Sequence, residues 1–225
     1  RYPLIVTLGF FLVMSYIAFF NHDYWFEYDG IYYLHQREEV LKGNGENTKL
    51  IGATIVGPII YASVNSVIED GFLTLKLFAL FGGTAIVFVS YFIIKNIFGE
   101  KIAIISQILI AFNARFILLT TLAINEQLPL MFIFLSLYFM TKKELRVKEI
   151  ILVGIFLGIS FSIRYQALFV FVAFLIFLLI KNKNIKINLK HIGLVVIVFF
   201  TVSSPLFLYN YSTHGSIIDS DPNFY

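Results

Sequence analysis

The feature that most constrains this chain is where its charges are missing. Residues Tyr2 to Phe20 hold no Asp, Glu, Lys or Arg, and Arg164 is the only charge between Glu149 and Lys181. A bilayer core about 30 Å thick takes roughly 20 apolar helical residues, so such runs are candidates to cross it. A cleavable signal peptide is the other reading of the first run, but it has no basic segment followed by a small-residue cleavage site. Of the 225 residues 59% are hydrophobic and 14% charged, with 26 Phe and 13 Tyr. That leaves too little polar surface to coat a soluble globule and excludes disorder, which needs low hydrophobicity. The absence of Cys excludes a disulfide scaffold. The net charge of +3 does not indicate nucleic acid, because most Lys and Arg fall in short loops between apolar runs. That placement is a topology signal.

The strongest basic clusters are Lys142, Lys143, Arg146, Lys148 and Lys181, Lys183, Lys186, Lys190. The positive-inside rule puts both in the cytoplasm, so the chain between them crosses an even number of times. One continuous helix there would be about 48 Å long and would deliver the second cluster to the wrong side. A hairpin of two short spans solves this, with its turn at Arg164-Tyr165-Gln166, where the lone charge gains an aqueous or paired environment. The same parity predicts a second hairpin between Lys101 and Lys142, with an outer turn between Asn113 and Gln127. Lys95 and Lys101 flank an inner turn at Phe98-Gly99-Glu100. Phe72 to Ile94 is then an inward span, and His191 to Tyr209 runs outward. Residues 50 to 68 carry Gly52, Gly57, Pro58 and Asn65, would break the parity by crossing, and are expected to be re-entrant or interfacial.

The expected fold is an all-α polytopic membrane protein of about seven transmembrane helices with an interfacial helix in the first outer loop. Residues 1–225 form a single transmembrane domain, expected to be the N-terminal part of a longer chain, with loops 21–49, 113–127 and 210–225 outside. Ten of the 17 basic residues then lie inside, but of the 14 acids only Glu100, Glu144 and Glu149. The acids concentrate on the outer face.

The first outer loop can form a helix from Asp29 to Leu41, ended by Lys42-Gly43 and with Asp29 at its N-cap. Asp29 can simply cap an interfacial amphipathic helix, and the Tyr, Trp and Phe around it suit an aromatic belt. The spacing Asp29, Tyr33, Arg37, Val40 and Gly43 also resembles the first-loop signature of the GT-C glycosyltransferases, in the branch of protein O-mannosyltransferases and aminoarabinose transferases. Gly30 replaces a second acid common in that signature, and Arg37 replaces its usual Ala. The resemblance continues in order through Phe98-Gly99-Glu100-Lys101, Asn125-Glu126, Gly154 and Gly158 before Arg164-Tyr165-Gln166-Ala167-Leu168, and Ser204-Pro205-Leu206 with Asn210 and Gly215.

The resemblance implies transfer of a sugar from a polyprenyl-phosphate donor to a protein, lipid or glycan acceptor outside the cytoplasm, at an integral membrane site. A lipid-linked donor enters from the bilayer and its phosphate needs a cation, for which Arg164 is the candidate. The acceptor hydroxyl needs a base, and Asp29 on the same face can serve. Glu126 is the second catalytic candidate, or else a helix-start carboxylate favoured by the dipole. Tyr33, Tyr165 and Gln166 are expected to bind substrate.

Arg115 either contacts phosphate or snorkels to the interface, the more expected role. His22, Asp23 and His35 lack recognisable ligand spacing, so the sequence does not indicate a metal. Asp219-Ser220-Asp221 reads as turn chemistry, Gly154-x-x-x-Gly158 as helix packing, and Asn210-Tyr211-Ser212 as a chance sequon. A transporter or lipid flippase and a non-catalytic membrane subunit are the alternatives. The first expects an Arg and a Glu near the midplane, where the hairpin parity does not put them.

Overall fold

The computed structural model describes residues 2–21, 28–44, 54–122, 126–181 and 185–217, with the side chains of 21, 28–33 and 214 left aside. Helix α1 (Tyr2–Tyr16) continues into a π-helical turn, Ile17–Asn21. It is followed by α2 (Tyr28–Leu41), α3 (Val56–Ile68), α4 (Gly71–Phe98), α5 (Glu100–Ala111), α6 (Ala114–Thr121), α7 (Gln127–Met140), α8 (Val147–Ile163), α9 (Ala167–Lys181) and α10 (Ile185–His214). Among the described residues there is no β-strand. The all-helical membrane architecture expected from the apolar runs is the one observed.

Among the described residues three helices are long and apolar enough to cross a bilayer: Tyr2–Phe20, Gly71–Phe98 and Ile185–Thr213. Helices α5 and α6, bent by 60° at Phe112-Asn113, supply a fourth if counted as one broken span. Helices α7, α8 and α9 have 14, 17 and 15 residues. At 1.5 Å per residue they reach about 21 to 26 Å, and each crosses only where the bilayer thins or flanking Lys and Arg snorkel. The α3 segment, expected to be re-entrant or interfacial, is a 13-residue helix packed on α2, α4 and α8, with Pro58, Tyr61 and Asn65 buried.

Local chemistry explains the ends. Asp70 caps α4 by accepting from the Leu73 amide at 3.0 Å, as a short polar side chain does at an N-cap. Asn113 does the same for α6 through Phe116 at 2.9 Å. Helix α2 stops where Gly43 takes a positive φ of 78°, and the Asn44 amide reaches back to the Glu39 carbonyl at 2.8 Å. That 6→1 bond is a Schellman closure, which suits a residue without Cβ. The predicted Lys42-Gly43 stop is therefore present, but α2 starts at Tyr28. Asp29 lies inside its first turn and not at the N-cap.

Helix α8 is the hub, with Ile150, Val153, Leu157, Phe161 and Ile163 buried between α7, α9 and α10. A Cβ on Gly154 would stand 2.8 Å from Val198, and one on Gly158 2.8 Å from Val202. The two glycines therefore let α8 and α10 approach as small-residue helix pairs do in membranes. A second apolar cluster joins Phe10 and Met14 of α1 to Leu80 and Val87 of α4 and Ala111 of α5.

A candidate active site at the α8–α9 hairpin tip

Helix α8 ends as Arg164 turns extended (φ −146°, ψ 130°), its amide donating to the Ser160 carbonyl at 2.8 Å. Helix α9 starts at Ala167, so the turn is Arg164-Tyr165-Gln166, as expected from the lone charge. The tip is braced from three directions. The Thr54 amide donates to the Ile163 carbonyl at 3.3 Å, and the Thr54 hydroxyl donates to the Ser162 carbonyl, tying the approach to α3 onto the hairpin. Ser160 donates to the carbonyl of Pro129 on α7 at 2.8 Å. From α10, the Asn210 amide donates to the Tyr165 hydroxyl at 3.2 Å and to the Ile217 carbonyl at 3.0 Å. Tyr165 also packs on Phe161, ring centroids 5.4 Å apart.

Arg164 and Glu126, separated by 38 positions in the chain, form an ion pair with Nη2 to Oε1 at 2.7 Å. Glu126 directly precedes α7, yet its carboxylate makes no capping bond to that helix. It pairs with the guanidinium instead. The side chains are 17% and 36% exposed, so the pair is partly accessible. It opens on a cavity of about 210 Å³ lined by Glu126, Pro129, Ile133, Ser160, Arg164 and Gln166. Gln166 is exposed at its rim.

The structure thus joins Glu126, Arg164, Tyr165 and Gln166. Asp29 and Tyr33 lie in α2 by backbone, but their side chains fall outside the described residues. So do His22, Asp23, Asn125 and the Asp219-Ser220-Asp221 run. Among the described residues no group of three His, Asp or Glu is placed to hold a metal. Arg115 is exposed in the first turn of α6 and does not line the cavity. Asn210 is 3% exposed and engaged with Tyr165, so the Asn210-Tyr211-Ser212 sequon lies within a helix with its asparagine buried.

On α2, Arg37 is 12% exposed and donates from Nη1 to Asn65 Oδ1 of α3 at 3.2 Å. At the end of the helix the Asn44 amide, ahead of Lys42, holds the Glu39 carboxyl below its usual range. Sequence reasoning passed over Lys76, which is 7% exposed and donates to the Ala18 carbonyl at 2.9 Å. Its signal was present, because Lys76 is the only charge between Phe72 and Ile94, and a lone charge within a span marks a specific role. Thr54 was also passed over, Asn65 was read only as a polar residue of the 50–68 segment, and no sequence signal marks their contacts.

A family model described as "Dolichyl-phosphate-mannose-protein mannosyltransferase" matches residues 53–209. The chain belongs to this mannosyltransferase family. The matched segment contains Glu126, Arg164, Tyr165 and Gln166 and excludes Asp29 and Tyr33. Among solved structures, the protein O-mannosyltransferase Pmt1-Pmt2 complex of S. cerevisiae bound to the sugar donor aligns at TM-score 0.70 and 15% identity, over 98% of this chain and 35% of that one. ArnT from Cupriavidus metallidurans in the apo state aligns at TM-score 0.73 and 15% identity, over 98% and 43%. The Archaeoglobus fulgidus oligosaccharyltransferase, also apo, aligns at TM-score 0.67 and 15% identity, over 94% and 30%. This family member therefore has the GT-C membrane fold and spans less than half the length of those solved chains. No curated protein sequence gives a significant match.

Proposed function

We propose that this chain carries the donor-binding part of a membrane glycosyltransferase that moves a sugar from a polyprenyl-phosphate donor to a protein, lipid or glycan acceptor on the extracytoplasmic face. The observation that carries the reading is the Arg164–Glu126 pair at 2.7 Å, at the mouth of a cavity on a hairpin tip. A guanidinium in a partly dry site is suited to a phosphate, and the neighbouring apolar helices suit its lipid chain. In the reaction the acceptor oxygen forms a bond to the anomeric carbon while the carbon–oxygen bond to phosphate breaks. The acceptor proton passes to a carboxylate, for which Asp29 is the assigned base, and the polyprenyl phosphate leaves against Arg164. A single displacement of this kind inverts the anomeric centre. Glu126 holds Arg164 before the donor arrives and stands beside the reacting atoms afterwards.

Arg164→Ala tests the phosphate assignment by equilibrium binding of a short-chain polyprenyl phosphate. Loss of a charge-assisted contact is worth about 1.5 to 3 kcal/mol, about tenfold or more in affinity. Arg164→Lys should keep part of the binding as a point charge. A folded Arg164→Ala protein with unchanged affinity would remove the assignment and leave the residue as an interface anchor.

A further inference from the structure

Lys76 lies five residues into α4, about 7.5 Å along the helix axis from Gly71. A Leu there would fill space in an apolar span without desolvating an ammonium, so the cation needs a reason. Its contact with α1 supplies one. Ala18 lies in the π-helical turn Ile17–Asn21, near the end of the first span. The Lys76 ammonium meets the Ala18 carbonyl at 2.9 Å, at the negative end of the α1 dipole.

The helix of the first loop is tied to the same part of α4. Arg37 donates to Asn65 Oδ1, and the Thr74 hydroxyl, which donates to the Asp70 carbonyl at 2.7 Å, lies 3.4 Å from the same oxygen. Thr74 is two residues from Lys76. The Arg37 guanidinium occupies the space over Gly71, where a Cβ would fall 1.5 Å from Nη1. The first two turns of α4 thus grip Ala18 before the first loop and Arg37 near the end of its helix. Asp29 lies between these two points.

We infer that Lys76 and Arg37 are positioning residues: they fix to α4 the chain just before the first loop and the helix α2 that carries Asp29, and so set where that helix stands. The inference rests on Asp29 acting as the base proposed above. Arg37, in the place where the family signature has Ala, acts as the second anchor because Gly71 leaves room for it. Neither residue lines the cavity at Arg164, so their effect falls on turnover and not on donor capture.

The Cys-free chain allows a direct test. Spin labels at His35→Cys, exposed on α2, and Ile97→Cys, 53% exposed at the far end of α4, report the position of α2 against α4. A single narrow distance is expected in the otherwise native protein and in Lys76→Arg, and a shifted or broadened one in Lys76→Met and Arg37→Ala. With dolichyl-phosphate-mannose as donor, those two variants should lose about tenfold in kcat with the donor KM within twofold. Lys76→Arg should recover most of the rate. If Lys76→Met fails to accumulate, Arg37→Ala and Lys76→Arg carry the test alone. Unaltered distances in Arg37→Ala, or a donor KM that rises while kcat holds, would overturn the inference. Failure of the base assignment reads differently, because Asp29→Asn then keeps full turnover while the label distances in Lys76→Met and Arg37→Ala still shift.

Discussion

In the proposed reaction Glu126 and Asp29 have different roles. Glu126 is engaged with Arg164 at 2.7 Å, so a donor phosphate and this carboxylate compete for one guanidinium. Glu126→Gln removes the competing charge. Polyprenyl-phosphate affinity measured by titration should therefore rise several-fold, and a fall would mean that the carboxylate orients Arg164 for the phosphate. Asp29 stands in the first turn of α2, where a carboxylate gains about 0.3 to 1 kcal/mol from the helix dipole. Asp29→Asn gives up only that if the residue is structural. If the carboxylate takes the acceptor proton, turnover should fall about 10²-fold or more with the thermal midpoint nearly unchanged. A fully active Asp29→Asn protein would return the loop to a structural role. Glu126 was readable in the sequence as a charge beside an apolar run, whereas its partner was not. Nothing local links position 126 to position 164; their meeting depends on how α7 lies against α8.

At the scale of helices, the contact between α8 and α10 decides whether the hairpin tip is held. Gly158 sits with Val202 where a Cβ would be, at 2.8 Å, and Ser203 donates to the Gly158 carbonyl at 3.4 Å. Gly158→Leu should therefore separate the two helices, cost about 1 to 3 kcal/mol by overpacking, and loosen the Asn210–Tyr165 brace. Gly193→Leu is the control, since nothing stands within 4 Å of a Cβ at that position. A thermal midpoint lowered by Gly158→Leu and unmoved by Gly193→Leu is the expected result in detergent; equal midpoints would mean that the close approach contributes little. The Gly154-x-x-x-Gly158 spacing announced a packing face, because small residues four apart share one side of a helix. It did not name the opposing helix. The Pro205 region was similarly half-legible: its ring removes a donor from α10, and the Ser204 hydroxyl supplies the freed Thr201 carbonyl at 2.8 Å. That Asn210, one turn further, reaches Tyr165 follows only from the α8–α10 crossing.

For the molecule as a whole, sidedness is the quantity that the charge pattern predicts and labelling can test. Cysteines at Gly43 and Gln166, both exposed, should react with an impermeant thiol reagent from outside intact cells, and one at Lys143 should not. Outside labelling at Lys143 would reverse the orientation assigned here. The helical architecture was determined by the sequence itself, because a backbone in lipid must satisfy its own hydrogen bonds and apolar runs of fixed length leave it little else to do. The hairpin tip at Arg164 was determined in the same way, since one charge in a long apolar stretch has to reach water or a partner. Span lengths were less constrained: helices of 14 to 17 residues arise where caps and loops end them, and hydropathy does not register that end. Tertiary structure alone decided that Glu126 faces Arg164, that Asn210 holds Tyr165, that Lys76 meets the Ala18 carbonyl and that Arg37 reaches Asn65. Each of these contacts joins groups far apart in the chain, and the geometry that brings them together is set by helix packing, to which local hydrophobic pattern is blind.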